Sequence, residues 1–102
     1  MYKYVLVASA LAAVCSAYTL LTACTNINLS NCMTFEGDLH TCYGVEQYDE
    51  SISSAKVHGA VICRLYRDAG CIGPGPIITD PAYNLNDQGF ANVTSSFKCW
   101  LD

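Results

Sequence analysis

The chain has 102 residues, of which 52% are hydrophobic, 14% charged and seven cysteine, so it holds one domain at most, and tandem domains or repeat solenoids of ordinary size are excluded. Five Lys plus Arg against nine Asp plus Glu, a formal charge of −4 with no basic cluster, offer no electrostatic footprint for phosphate backbones and argue against nucleic-acid binding. The odd cysteine count cannot close a purely intramolecular disulfide framework.

The N-terminal segment accounts for the odd cysteine. Lys3 precedes a small, apolar run over residues 5–14 that is broken only by Ser9, and Cys15-Ser16-Ala17 follows. This is the pattern of a secretory signal peptide over residues 1–17, with Ala23 as the alternative end. The run is shorter than the roughly 20 residues of a transmembrane helix, so no stable membrane span is expected. Leu21-Thr22-Ala23-Cys24 also has the shape of a bacterial lipobox, whose Cys is lipidated after cleavage. Lipidation of Cys24 would leave five other cysteines, whereas cleavage after Ala17 removes Cys15 alone and leaves six: Cys24, Cys32, Cys42, Cys63, Cys71 and Cys99. Parity favours simple secretion. Residues 18–102 then form an acidic extracellular domain, expected as a monomer, in which each disulfide adds about 2–4 kcal/mol to a small core. Asn28-Leu29-Ser30 and Asn92-Val93-Thr94 are N-glycosylation sequons, which makes Asn28 and Asn92 acceptor candidates in a eukaryotic host.

Along residues 18–102 no helical period occurs. Short β-branched and aromatic runs, expected as strands, cover residues 26–35, 39–45, 60–66, 76–79 and 95–101. In residues 60–66, Val61, Cys63 and Leu65 alternate with Ile62, Arg64 and Tyr66, the mark of a half-buried strand. Between the runs lie Glu36-Gly37-Asp38, His58-Gly59, Asp68-Ala69-Gly70, Gly73-Pro74-Gly75-Pro76, Asp80-Pro81 and Asp87-Gln88-Gly89, all turn chemistries. Short strands at this spacing predict an all-β sandwich or small barrel.

An internal repeat sharpens the expectation. Ile27-x-Leu29 and Phe35-x-Gly37 recur as Cys63-x-Leu65 and Cys71-x-Gly73 at a spacing of 36, and residues 49–57 recur as residues 91–99 at a spacing of 42. On this alignment the second copy carries six extra residues in its Pro/Gly loop. Each copy reads as strand, Gly turn, strand, loop, then a Ser-Ser turn into a last strand, or two Greek keys in tandem.

The segments Leu65-Tyr66-Arg67-Asp68-Ala69-Gly70-Cys71-Ile72-Gly73 and Asn92-Val93-Thr94-Ser95-Ser96-Phe97-Lys98-Cys99 resemble a βγ-crystallin Greek key motif. Tyr66, Gly73, Asn92, Ser95 and Ser96 carry the match in the second copy, and Phe35, Gly37, Asp49, Ser53 and Ser54 in the first. The chain departs from the pattern at Ser30, Glu50, Cys71 and Ala91. The resemblance implies a disulfide-stabilised sandwich of two tandem Greek keys, with motif one over about residues 25–58 and motif two over about residues 59–102. It places Cys63 beside Cys99 and so implies that disulfide. It also implies a calcium site between the motifs, with Asp49, Ser53, Asn92 and Ser95 as ligands. Calcium takes about 6–8 oxygens, preferably anionic, so one carboxylate among neutral oxygens would bind weakly. The plain alternative is that Ser53-Ser54 and Ser95-Ser96 tie down turns.

Three functions are consistent with these residues. Small secreted cysteine-rich members of fungal and microbial origin resemble killer toxins, antimicrobial proteins and effectors, which implies a non-enzymatic interaction protein with a partner on a host or competitor surface. The second is an extracellular calcium-binding structural protein. The third is a small secreted ribonuclease, for which His40, His58, Glu46, Glu50, Arg64 and Arg67 provide acid, base and cation types; both histidines are expected in exposed loops, which weighs against it. Arg64, Tyr66 and Arg67 read as the solvated face of a strand, and Trp100 as a core aromatic.

Overall fold

The computed structural model describes residues 17–102. The leader expected over residues 1–17 therefore lies, apart from Ala17, outside the described residues. Seven strands follow: β1 Tyr18–Asn26, β2 Ser30–Gly37, β3 Cys42–Gly44, β4 Ser54–Val57, β5 Val61–Asp68, β6 Ile72–Ile78 and β7 Ser96–Leu101. Short 3₁₀ turns occupy Glu46–Tyr48 and Leu85–Gln88. The expected all-β sandwich is borne out.

The strands form two antiparallel sheets, β2-β1-β4 and β3-β7-β5-β6. β3 belongs by sequence to the first half and by pairing to the second, where Cys42–Gly44 runs against β7. The exchange is returned by Ala82, which bridges Ala55 of β4 through two backbone hydrogen bonds of 3.0 and 2.8 Å. Each half thus closes the other half's sheet, so neither can be peeled away without breaking a ladder.

The core lies between the sheets. Leu20, Leu21, Val45, Ile52, Ala55, Leu65, Leu85 and Phe97 are completely buried. β5 alternates as its sequence implies, with Val61, Cys63 and Leu65 inward and Ile62, Arg64 and Tyr66 half-buried on the other face. Phe97 is the largest fully buried side chain, and the rings of Phe35 and Tyr43 pack on it at 5.2 and 5.8 Å between centroids. Trp100, read as a core aromatic, is only half-buried.

The two halves repeat at a spacing of 42 throughout, which corrects the 36-residue register of the first segments. Asn26 pairs with Ser30 to close the β1–β2 hairpin, and Asp68 pairs with Ile72 to close the β5–β6 hairpin. Left-handed backbone recurs at the same interval: Asn28 and Gly70 (φ 62° and 74°), Leu29 and Cys71 (57° and 59°), Asn31 and Gly73 (60° and 72°). The fold-back that Gly73 makes in the second motif is made by Asn31 in the first, and Asn is among the few residues that tolerate this conformation. Phe35 and Gly37 are not fold-back residues; they lie at the far end of β2. No six-residue insertion separates the copies at the Pro/Gly segment.

Two further expectations change with the register. The first motif starts at Tyr18 and not near residue 25, and the expected strand over residues 26–35 is a hairpin tip followed by most of β2. Gly73-Pro74-Gly75-Pro76, expected as a turn, is the body of β6. β6 is an edge strand, where prolines are tolerated because an edge has N–H positions that owe nothing to a ladder, and where they discourage further strand pairing.

Candidate functional site

The segments leading into β4 and β7 cross at the junction of the motifs. Glu50 N–H donates to Thr94 O at 2.9 Å, and Asn92 N–H donates to Ile52 O at 3.0 Å. Glu50 and Asn92 share a left-handed backbone, φ 57° and 60°. Ser53 and Ser95 are equivalent as well: their N–H groups donate to Cys24 O and Tyr66 O at 2.8 and 2.9 Å, and their carbonyls accept from Leu85 and Val45 at 2.9 and 3.2 Å. This lattice of backbone bonds fixes where the four side chains stand.

Of the residues implied as calcium ligands, the fold brings Ser53 and Asn92 together. The Ser53 hydroxyl donates to Asn92 Oδ1 at 3.2 Å, across 39 residues of sequence, in an exposed position. The symmetry mate of that pair is Ser95 with Glu50, not Ser95 with Asp49. Asp49 caps the Glu46–Tyr48 turn, its N–H donating to Glu46 O, and among the described residues it makes no hydrogen bond to Ser53, Asn92 or Ser95. Glu50, passed over as a departure from the motif, stands where Asn92 stands in the other half. The 42-residue repeat already aligns Glu50 with Asn92, and the shared positive φ bears out the equivalence that the difference in residue type obscures. One half therefore presents an amide and a hydroxyl, the other a carboxylate and a hydroxyl. Among the described residues no group of three or more His, Cys, Asp or Glu converges on a common point, so any cation here would depend on neutral oxygens and backbone carbonyls, and such sites are weak.

Among the described residues, the acid, base and cation types of the ribonuclease reading are not hydrogen-bonded to one another. His58, expected in an exposed loop, follows β4 directly, is half-buried, and has Nε2 2.7 Å from Thr22 Oγ1, which lies 2.9 Å from Thr34 Oγ1. It ties together three strands of the first sheet. His40 is exposed with φ 63°. Arg64 donates from Nε to Gly75 O at 3.1 Å, and the Arg67 guanidinium lies 5.3 Å from the centre of the Phe90 ring. Both arginines brace the second sheet. The cation–π partner, Phe90, is distant in sequence from Arg67. No pocket opens among the described residues.

Six cysteines form three disulfides: Cys24–Cys32, Cys42–Cys71 and Cys63–Cys99. The Cys63–Cys99 bond implied by the resemblance is present. Cys24 is completely buried and its sulfur is bonded to Cys32, which leaves it no valence for a lipid. Among the described residues no helix is long and apolar enough to cross a membrane.

No family model matches the chain, and no curated protein sequence does. Solved structures do match. A βγ-crystallin domain from Flavobacterium johnsoniae superposes with a TM-score of 0.64 at 20% identity, over 81% of this chain and 96% of that one. The N-terminal domain of protein S gives 0.65 at 22% identity, over 80% and 96%. A structure described under the evolution of the eye-lens βγ-crystallin domain fold gives 0.67 at 14% identity, over 89% and 94%. At these identities the likeness establishes the fold: two Greek keys arranged as in βγ-crystallin domains, here with three disulfides.

Proposed function

We propose that the chain is a secreted, non-enzymatic recognition module that acts on the surface of a host or competitor cell, in the manner of effectors, antimicrobial proteins and killer toxins. The observation that carries the reading is the β1–β2 hairpin tip. Ile27 and Tyr83 are 48% and 55% exposed, Asn28 N–H donates to Tyr83 O at 2.7 Å, and the Cys24–Cys32 bond fastens the hairpin just below. A rigid tip that holds an aliphatic and an aromatic side chain in water loses little entropy on docking, and aromatic anchors of this kind dominate binding energies. Three disulfides in a chain of this size also suit an oxidising, extracellular compartment. The test is binding of fluorescently labelled protein to panels of microbial and plant cells. Saturable binding that is lost in the Ile27→Ser/Tyr83→Ser double variant supports the reading, and absence of binding to every cell type rejects it.

A second reading, an extracellular calcium-binding structural protein, is favoured by the Ser53–Asn92 contact and its Ser95–Glu50 mate. A ligand that binds only the folded state raises its melting temperature. An unchanged midpoint between EDTA and millimolar calcium would remove this reading.

A further inference from the structure

We infer that Asn92 is an N-glycosylation site, and that the need for its sequon, not packing, accounts for the hydroxyl of Thr94. Thr94 is completely buried, and its Oγ1 is the one buried side-chain polar atom without a hydrogen-bond partner among the described residues. The other buried polar side chains are served: Ser54 and Ser96 each make two hydrogen bonds and Thr22 lies against Thr34 and His58. An unpaired buried hydroxyl is destabilising. The equivalent position of the other half holds Ile52, also completely buried, so an aliphatic side chain satisfies this site in the fold. The hydroxyl has no structural use where it stands, but Thr94 is the third residue of Asn92-Val93-Thr94, where a hydroxyl is obligatory.

The acceptor geometry agrees. Asn92 is exposed, and among the described residues its side chain is engaged through Oδ1, by Ser53; a sugar on Nδ2 is compatible with that contact. In Asn28-Leu29-Ser30 the third residue is exposed, so its hydroxyl needs no such explanation and the same argument does not extend to Asn28. The inference rests on the secretion reading, because the donor is a lipid-linked oligosaccharyl pyrophosphate of a eukaryotic secretory pathway. Nδ2 attacks the anomeric carbon of the oligosaccharide, the C–N bond forms, and the C–O bond breaks with its electron pair leaving on the lipid pyrophosphate. Nδ2 gives up one proton. Since Thr94 is inaccessible once folded, transfer must precede closure of β7 onto β5.

The test is expression of the full chain in a eukaryotic secretory host, with medium and cell fractions analysed separately. Enzymatic deglycosylation in heavy-oxygen water marks each formerly modified Asn by mass. Asn92 is expected to carry the mark, to lose it in Thr94→Val, and to keep it in Thr94→Ser and in Asn28→Gln. Secreted protein with Asn92 unmarked overturns the inference while leaving secretion intact. If no protein is secreted, the secretion reading fails, and residues 18–102 behind a foreign leader decide Asn92 on their own. In microsomes supplied with the lipid-linked donor, reduced and unfolded protein should be modified and the folded, disulfide-bonded form should not; equal modification of both overturns the proposed order of events.

Discussion

Ser54 and Ser96 do the same work in the two halves of the molecule. Ser54 Oγ donates to Asn26 O at 2.6 Å and accepts from Leu29 N–H at 3.0 Å, while Ser96 Oγ donates to Asp68 O at 2.6 Å and accepts from Cys71 N–H at 2.9 Å. Each hydroxyl is completely buried and stitches the start of a motif's last strand to the folded-back tip of its first hairpin. The left-handed residues of that tip have no ladder partners, so the serine takes the place of a strand.

Replacement of either serine by Ala removes one donor and one acceptor and strands a backbone carbonyl and an N–H. Each variant should lose about 1–3 kcal/mol. The sites belong to different hairpins, so the double variant should be close to additive. Chemical denaturation of the oxidised protein measures this; a loss below about 0.5 kcal/mol in both variants would mean that the hairpin tips are held by something else.

Ile52 and Thr94 make a reciprocal test of the orphan hydroxyl. Unglycosylated Thr94→Val should gain about 1 kcal/mol, because the shape is kept and an unsatisfied polar atom leaves the core. Ile52→Thr should lose about 1–3 kcal/mol by creating the same defect in the other half. A destabilised Thr94→Val would show that the hydroxyl has a partner in solution, such as a buried water.

These serines were legible in the sequence as part of the Ser-Ser turns, and so were the sandwich class and the alternation of β5. The register of the first motif was not. Asn31 replaces the glycine that marks the fold-back in the second motif, and Ile27-x-Leu29 happens to match Cys63-x-Leu65, so pattern matching slid by six residues. β1 was hidden because it follows closely on the apolar N-terminal run, where its Leu20-Leu21 pair reads as cleavage flank. The swapped third strands carry no pattern, since β3 has three residues and Ala82 a single bridge. At the motif junction Ser53 and Asn92 were readable through resemblance. Glu50 was aligned with Asn92 by the 42-residue repeat but set aside as a departure from the motif, because a carboxylate stands where the other half has an amide and only the backbone conformation shows the two to be equivalent. If the expected leader is cleaved, removal through Ala17 would leave β1 whole, whereas removal through Ala23 would take six of its nine residues, with buried Leu20 and Leu21 among them.

Gly37 is held small by Tyr43. A Cβ on Gly37 would stand 2.5 Å from the Tyr43 hydroxyl, which accepts a 2.8 Å hydrogen bond from Asp38 N–H. Gly37→Ala should therefore push the ring off Phe97 and break that bond, at about 1–3 kcal/mol. Gly44→Ala is the control, since the nearest atom to its Cβ would be Ser95 O at 3.9 Å; a small gain, up to about 1 kcal/mol, is expected there from the reduced entropy of the unfolded chain. Equal effects at the two glycines would dispose of the steric argument.

The three disulfides should differ in what they contribute. Cys24–Cys32 closes a loop of sequence separation 8 within one hairpin, whereas Cys42–Cys71 and Cys63–Cys99 close separations of 29 and 36. Loop-closure entropy alone predicts about 2.5 kcal/mol for the first and about 3.6–3.8 kcal/mol for the other two. Packing widens the gap for Cys63–Cys99, whose cysteines are both buried in the core between β5 and β7. Cys42–Cys71 instead joins β3 to the tip of the second hairpin, so it secures the swapped strand that has only three residues of ladder to hold it. Paired replacements by Ala, unfolded under oxidising conditions, should rank Cys24/Cys32 as the mildest. Hydrogen exchange should show the Cys42/Cys71 pair releasing β3 first, with the β1–β2–β4 sheet still protected. If instead loss of Cys24–Cys32 unfolds the whole domain, the hairpin it fastens is the nucleus of the fold and not a peripheral tip.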